Sequence, residues 1–255
     1  MTLKEKVNLA INPKFPYVVL DQKNDVEISI GLEDRVLYIT FLGSTSKKDW
    51  IHNFMVWFSF MNKPYKNMKK TFFVHSGFLK IYKICRSTIH KWVIDKEKEY
   101  DSIIITGHSL GGAISTLCCE DVGFLNEEKI IDKPFEAIVT GCPRVFGFFN
   151  SKLIKTRCKN LTRVINKSDI VPSVPFAILG YKHIGEVYKI GKRFVNIFLP
   201  SCVYNHDTKP YLSLDSKFIS NKNTNNLYED VVNLYIKFYC LLFSLIITFI
   251  IRSIL

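Results

Sequence analysis

The residues with the clearest chemical potential in this sequence are the five that read Gly107-His108-Ser109-Leu110-Gly111. They fit the pattern G-x-S-x-G and directly follow an apolar, β-branched run, which is the sequence context of a sharp turn from a strand into a helix. Such a turn raises a serine above the end of a sheet, and it needs small residues on either side because the two backbones nearly touch there. The pattern therefore predicts that Ser109 is a nucleophile for covalent catalysis.

A nucleophilic serine needs a histidine base and a carboxylate that orients the base. In the chain order Ser, acid, His that accompanies this turn, the candidate bases after Ser109 are His183 and His206. His206 is favoured because it lies in a loop beyond the last predicted strand, whereas His183 opens a strand and is kept as the alternative base. Asp169 is the predicted acid, since it follows a strand and precedes a proline-rich turn; the alternative is that it is an ordinary solvated loop residue.

The negative oxygen that forms when a serine attacks a carbonyl requires backbone N–H donors. Leu110, the residue after the nucleophile, supplies one of them. A second is expected from the loop at Gly43 and Ser44, which directly follows a predicted strand, and the Ser44 hydroxyl can add a further hydrogen bond. The alternative for Gly43 and Ser44 is an ordinary turn. This chemistry requires no metal ion and no other cofactor.

The elements that must position these groups are strands that alternate with helices. Apolar residues from residue 76 onward recur at the spacing of one helical face, up to the charged residues 96–99, and a second helix follows the serine turn from residue 112. Strands are predicted at 26–31, 36–43, 57–60, 102–106, 135–141, 161–166, 186–190 and 193–199. This alternation predicts an α/β fold with a mostly parallel central sheet flanked by helices.

The composition favours one globular domain, since the 255 residues are 47% hydrophobic and 14% aromatic. Lysine and arginine number 35 against 23 acidic residues, which gives a net charge of +12. No nucleic-acid-binding motif accompanies this charge, so attraction to an anionic membrane surface is the favoured interpretation. The seven cysteines contain no C-x-x-C pair, which disfavours a zinc site and a complete disulfide framework. The N-terminus lacks the apolar segment of a secretory signal, so the globular part is expected in the cytosol.

The C-terminal end of the chain has a different character. Residues 238–251 are uncharged and lie between Lys237 and Arg252. As a helix they cover about 21 Å, less than a hydrocarbon core about 30 Å thick, but preceding apolar residues and the two long basic side chains can extend the span. The prediction is a globular domain at 1–206, a polar linker at 207–230 and a single transmembrane anchor at 231–255, with the domain facing the cytosol. The alternative is a buried or interfacial C-terminal helix.

Four blocks of sequence carry a resemblance to a known family. They are residues 41–50, residues 74–79, residues 105–113, and the combination of 141–144, 163–172 and 181–188. In this order and spacing they resemble the class 3 lipase family, the fungal triacylglycerol lipase-like α/β-hydrolases. The resemblance covers residues 36 to about 206 and implies the α/β-hydrolase fold.

The resemblance also implies roles for individual residues. The matching positions are the nucleophile Ser109, the acid Asp169, the base His206, and the oxyanion residues Ser44 and Leu110. His183 matches a structural position at the start of a strand. Residues 50–61 match the segment that forms a lid in the family; a buried strand is the alternative for them.

Together with the C-terminal segment, the resemblance implies a membrane-tethered serine esterase or lipase that hydrolyses acyl esters of acylglycerols or phospholipids. A lipid substrate and a membrane are the expected partners, and nucleic acid is not. Two alternatives remain open. One is a catalytically silent lipase-like protein that serves as a membrane-bound interaction module, and the other is a soluble carboxylesterase.

Overall fold

The structure, a computed structural model, describes residues 1–21, 26–42, 61–62, 72–148, 151–191, 206–213 and 219–220. Within these ranges the helices are α1 (Leu3–Ile11), α2 (Ser76–His90), α3 (Leu110–Glu127), α4 (Ser151–Arg157) and α5 (Thr208–Leu212). The strands are β1 (Tyr17–Asp21), β2 (Val26–Glu33), β3 (Val36–Phe41), β4 (Met61–Asn62), β5 (Val74–His75), β6 (Ser102–His108), β7 (Phe135–Thr140), β8 (Phe146–Gly147), β9 (Leu161–Asn166), β10 (Tyr181–Lys182), β11 (Glu186–Ile190) and β12 (Ile219–Ser220).

In the described part of the chain, the larger of two sheets has eight strands in the order β1-β2-β3-β6-β7-β9-β11-β12. Strands β3, β6, β7, β9 and β11 run parallel to one another. Antiparallel strands complete the sheet on both sides. The predicted α/β fold with a mostly parallel central sheet is therefore confirmed.

Helices cover both faces of the parallel strands. Ile103 and Ile105 of β6 belong to one apolar core with residues of α3, whereas Val7 of α1 packs with Ile138 and Val164 in a second core. Alternate residues of a strand point to opposite faces, and this explains why these central strands are apolar along their whole length rather than at every second position.

The sequence interpretation missed helix α1, although its start carries a recognisable signal. The Thr2 hydroxyl accepts a hydrogen bond from the Glu5 N–H, and the Glu5 carboxylate accepts one from the Thr2 N–H. This reciprocal pair is a capping box, which satisfies two backbone donors that the first helical turn cannot satisfy itself.

Several predicted strands have nearly the predicted bounds: β9 and β11 match 161–166 and 186–190, and β6 continues past residue 106 to His108. The predicted strands at 57–60 and 193–199, the Gly43–Ser44 loop and, apart from residue 61, the segment 50–61 lie outside the described residues.

The predicted linker at 207–230 is wrong at its beginning. Residues Thr208–Leu212 form α5, with Tyr211 fully buried beside Val7 of α1, and Ile219–Ser220 pair with β11. A polar linker cannot bury a tyrosine in this way, so the folded domain continues well past residue 206. Within the ranges described, no helix combines the length and the apolar character needed to span a bilayer. The predicted anchor at 231–255 lies outside those ranges and stays a prediction.

Candidate active site

Ser109 occupies the turn between β6 and α3 in a strained conformation, with φ 60° and ψ −122°. Its N–H donates to the carbonyl of Thr140 on the neighbouring strand at 2.9 Å, which holds the turn against the sheet. A Cβ atom at position 111 would lie 2.1 Å from the Phe41 carbonyl oxygen, and one at position 107 would lie 2.5 Å from the Gly111 carbonyl oxygen. Both flanking glycines are therefore required for strand and helix to meet at the serine.

His206 lies directly beside this serine, although 97 positions separate them in the chain. Its Nε2 is 2.7 Å from Ser109 Oγ, and its Nδ1 is 2.8 Å from Asp169 Oδ2. The ionised carboxylate only accepts hydrogen bonds, so Nδ1 carries the proton and Nε2 is left to accept from the serine hydroxyl. In this tautomer His206 can take the proton from Ser109.

Asp169 is held in place by the backbone of its own loop, just beyond the end of β9. Its Oδ1 accepts from the Val171 N–H at 2.8 Å, and its own N–H donates to the Asn166 carbonyl at 3.0 Å. The residue is 3% exposed. These contacts orient Oδ2 toward the imidazole of His206.

Tyr211 of α5 adds a contact that the sequence interpretation did not anticipate. Its hydroxyl donates to Asp169 Oδ2 at 2.6 Å and accepts from the Asn166 N–H at 3.1 Å. Burial, together with the charge of Asp169, raises the pKa of Tyr211 well above its usual value, so the hydroxyl stays protonated as a donor. The only sequence signal was a tyrosine five residues after His206, within a segment whose polar composition suggested a linker.

His108, the residue before the serine, packs against the base. The two imidazole rings stack with their centroids 5.0 Å apart. His108 Nε2 is 3.1 Å from the His206 carbonyl oxygen, and Nδ1 is 2.9 Å from Thr140 Oγ1. A carbonyl oxygen can only accept, so Nε2 is the protonated nitrogen of His108. The residue thus fixes the backbone of His206.

The chain is similar in sequence to known proteins. The family model described as lipase (class 3) matches residues 38–179, more than half of the chain. The chain belongs to the class 3 lipase family. The matched range contains Ser109 and Asp169, whereas His206 and Tyr211 lie beyond it.

Individual relatives agree with this class 3 lipase assignment. The chain is 33% identical over 165 residues to a lipase of Rhizomucor miehei, an alignment that covers 64% of this chain and 44% of that protein. It is 27% identical over 177 residues to phospholipase A(1) DAD1, chloroplastic, of Arabidopsis thaliana, covering 64% of this chain and 38% of that protein. The chain thus spans less than half the length of these curated relatives.

A solved lipase structure shares the fold. The crystal structure of the lipase from Rhizopus microsporus var. chinensis superposes with a TM-score of 0.60 at 29% identity, covering 71% of this chain and 63% of that one. Together with the sheet order, this likeness identifies an α/β-hydrolase fold in this chain.

The alternative base, His183, contacts a backbone carbonyl of the loop that follows Asp169. His183 Nε2 donates to the Pro172 carbonyl oxygen at 2.6 Å. Burial, and then the nearby charges of Arg163 and Arg144, lower the pKa of His183 well below its usual value. His183 therefore supports the loop that follows Asp169, whereas His206 contacts the serine.

Of the two predicted oxyanion residues, Leu110 is the first residue of α3. The N–H groups of a first helical turn have no acceptor within the helix and point outward from its N-terminus, where they can meet a negative oxygen. Ser44 lies outside the described residues. Among the described residues, no cluster of histidine, cysteine and acidic side chains is arranged to hold a metal ion.

We expect Tyr211→Phe to reduce kcat about tenfold, a loss of about 1.4 kcal/mol of transition-state stabilisation. The Tyr211 hydroxyl is one of the contacts that orient Asp169 Oδ2 toward His206. Because it contacts Asp169 and the Asn166 N–H rather than the nucleophile, its loss should lower kcat with little change in KM, which steady-state kinetics would reveal.

Tyr100→Phe is the matched control for this change. Tyr100 is also fully buried, and its hydroxyl donates to the Val93 carbonyl oxygen, in a contact that involves none of the triad residues. Its removal should lower the free energy of unfolding but leave kcat unchanged. A wild-type kcat in folded Tyr211→Phe would show that Tyr211 only supports the fold.

Proposed function

We propose that the protein is a serine esterase that hydrolyses the acyl ester bonds of glycerolipids. The observation that carries the proposal is the continuous chain of hydrogen bonds from Ser109 Oγ through His206 to Asp169 Oδ2, at 2.7 and 2.8 Å. Membership of the class 3 lipase family supports it. The names of the relatives, a lipase and a phospholipase A(1), favour acylglycerols or phospholipids as substrates.

In the proposed reaction Ser109 Oγ attacks the ester carbonyl while His206 Nε2 takes its proton. Asp169 stabilises the imidazolium that forms. The tetrahedral oxygen accepts from the Leu110 N–H and, as the sequence predicts, from Ser44. Collapse of this intermediate breaks the bond to the alkoxy oxygen, which leaves with the proton from His206. Water, activated by His206, then hydrolyses the acyl-enzyme and releases the fatty acid.

The proposal is tested by incubating the full chain in mixed micelles with triacylglycerol, diacylglycerol and phosphatidylcholine and measuring fatty acid release. Release from at least one of these esters is expected. The matched ether-linked lipids, which have the same chains but no ester carbonyl, should remain intact. A folded protein that releases fatty acid from none of the esters would favour the alternative of a catalytically silent interaction module.

The C-terminal anchor at 231–255 forms the second part of the proposal, supported by the uncharged run between Lys237 and Arg252. In cells that express the full chain, alkaline carbonate should leave the protein in the membrane pellet. A chain that ends at residue 230 should move to the supernatant. Extraction of both forms alike would remove this part of the proposal and leave the esterase assignment unaffected.

A further inference from the structure

Thr140, at the carboxyl end of β7, is connected to both the candidate nucleophile and the candidate base. Its carbonyl oxygen accepts a hydrogen bond from the Ser109 N–H at 2.9 Å. Its hydroxyl oxygen is 2.9 Å from Nδ1 of His108, and Nε2 of the same imidazole is 3.1 Å from the His206 carbonyl oxygen. One fully buried residue thus binds the serine turn directly and the main chain of the base through one imidazole.

The direction of each hydrogen bond in this connection follows from the atoms involved. The His206 carbonyl oxygen can only accept, so Nε2 of His108 carries the proton and Nδ1 is left as an acceptor. The Thr140 hydroxyl is therefore the donor to Nδ1. A buried acceptor that loses its donor is costly, so the hydroxyl stabilises the position and the tautomer in which His108 binds the His206 carbonyl.

The surroundings of the two imidazole rings support the same arrangement. His108 and Thr140 lie directly opposite each other in the pairing of β6 with β7. The His108 ring stacks on the His206 ring with an angle of 24° between their planes. Gly141 has a φ of 58°, and a Cβ there would lie 3.0 Å from Cε1 of His206 and 3.1 Å from Cε1 of His108. Both rings therefore lie close to the backbone that directly follows Thr140.

The base has to be held through its main chain as well as through its ring. His206 is separated from Ser109 by 97 positions and comes after β11 in the chain. Asp169 binds Nδ1 of its ring, a contact that does not fix the peptide backbone. Since a displacement of a catalytic group by about 1 Å can reduce the rate about 100-fold, a hydrogen bond to the His206 carbonyl has a direct consequence for proton transfer.

We propose that Thr140 is a positioning residue that sets the separation of Ser109 and His206. Its carbonyl fixes the serine turn, and its hydroxyl, acting through His108, fixes the main chain of the base. The catalytic role of Thr140 rests on the proposed function, because the separation affects a rate only if Ser109 and His206 react. The hydrogen bonds of His108 do not require turnover.

The hydroxyl is tested with Thr140→Val, which is nearly isosteric and leaves the carbonyl in place. We expect kcat for a short soluble ester to fall about fivefold with little change in KM, and Thr140→Ser to restore it. Thr116→Val is the matched control, since Thr116 is also buried and its hydroxyl donates to the Gly112 carbonyl within α3 at 2.8 Å. Its kcat should equal that of the wild type. A wild-type kcat in folded Thr140→Val, or no recovery in Thr140→Ser, would overturn the proposal.

A double-mutant cycle tests whether the hydroxyl acts through His108. The variant His108→Phe keeps an aromatic ring beside His206 but removes both hydrogen bonds. It should lower kcat at least as much as Thr140→Val, and the double variant should be no slower than His108→Phe alone. If the two losses multiply instead, the hydroxyl acts by another route and the proposal is wrong.

The hydrogen bonds themselves can be measured without turnover, by nitrogen NMR of the full chain labelled with ¹⁵N-histidine in detergent micelles. The His108 signals are assigned by their absence from the spectrum of His108→Phe. We expect the wild-type protein to carry the His108 proton on Nε2. A proton on Nδ1 instead would overturn the proposal. A wild type that hydrolyses no ester but has the expected tautomer would count against the proposed function and against a catalytic role of Thr140, and would leave the hydrogen-bonded connection established.

Discussion

Replacing Ser109 with alanine is expected to reduce ester hydrolysis by about 10⁴-fold or more, because the reaction then has no nucleophile to form the acyl-enzyme. The residual rate would come from substrate binding and the oxyanion donors. The change removes one oxygen atom from a residue that is 4% exposed, and the alanine has to keep a backbone conformation that is already strained. Circular dichroism should therefore accompany the kinetics, to show that the variant remains folded.

Ser87→Ala is the matched control, since Ser87 is exposed on α2 and takes no part in the triad. Its activity should equal that of the wild type. Retention of more than about one hundredth of the wild-type rate by folded Ser109→Ala would argue that another residue performs the attack.

Gly111→Ala is expected to destabilise the domain by about 3 kcal/mol. The new Cβ would lie 2.1 Å from the Phe41 carbonyl oxygen and 2.8 Å from the Leu42 carbonyl carbon, both backbone atoms at the end of β3. Backbone cannot rotate out of the way as a side chain can, so β3 and α3 must move apart. The loss arises even though alanine is intrinsically better than glycine in a helix by about 1 kcal/mol.

The neighbouring Gly112→Ala provides the comparison within the same helical turn. Its Cβ would lie 3.1 Å from the Cβ of Cys142 and 3.2 Å from the Gly107 carbonyl oxygen, contacts that require only small shifts. Chemical denaturation followed by circular dichroism should show a much smaller loss of unfolding free energy for Gly112→Ala. Equal losses of unfolding free energy in Gly111→Ala and Gly112→Ala would mean that the close approach of Gly111 to the backbone of β3 does not determine the effect of the substitution.

The parts of the site that depend on local pattern could be predicted from the sequence. The G-x-S-x-G pattern after an apolar run predicts the turn at Ser109, because only glycine fits beside it. The chain order Ser, acid, His leaves His183 and His206 as candidate bases, and the position in a loop favours His206. The structure brings Ser109, Asp169 and His206 together. This proximity could be predicted because it depends on a few neighbouring residues and on the order of elements.

Contacts over long sequence separations could not be predicted in the same way. Tyr211 contacts Asp169 across 42 positions, in a helix too short to show a period of apolar residues. Its burial depends on Val7 of α1, whose helix was itself missed despite the T-x-x-E signal at Thr2. The polar composition of residues 207–230 favoured a linker. The burial of Tyr211 shows instead that the beginning of this segment is folded.

The most direct test of the central claim is covalent labelling with a fluorophosphonate probe, followed by mass spectrometry of the labelled peptide. Such probes react with a serine whose hydroxyl is activated by a neighbouring base. We expect a single adduct on Ser109 in the wild type, no adduct in Ser109→Ala, and strongly slowed labelling in His206→Ala. Labelling that persists in Ser109→Ala, or an adduct on a different serine, would contradict it.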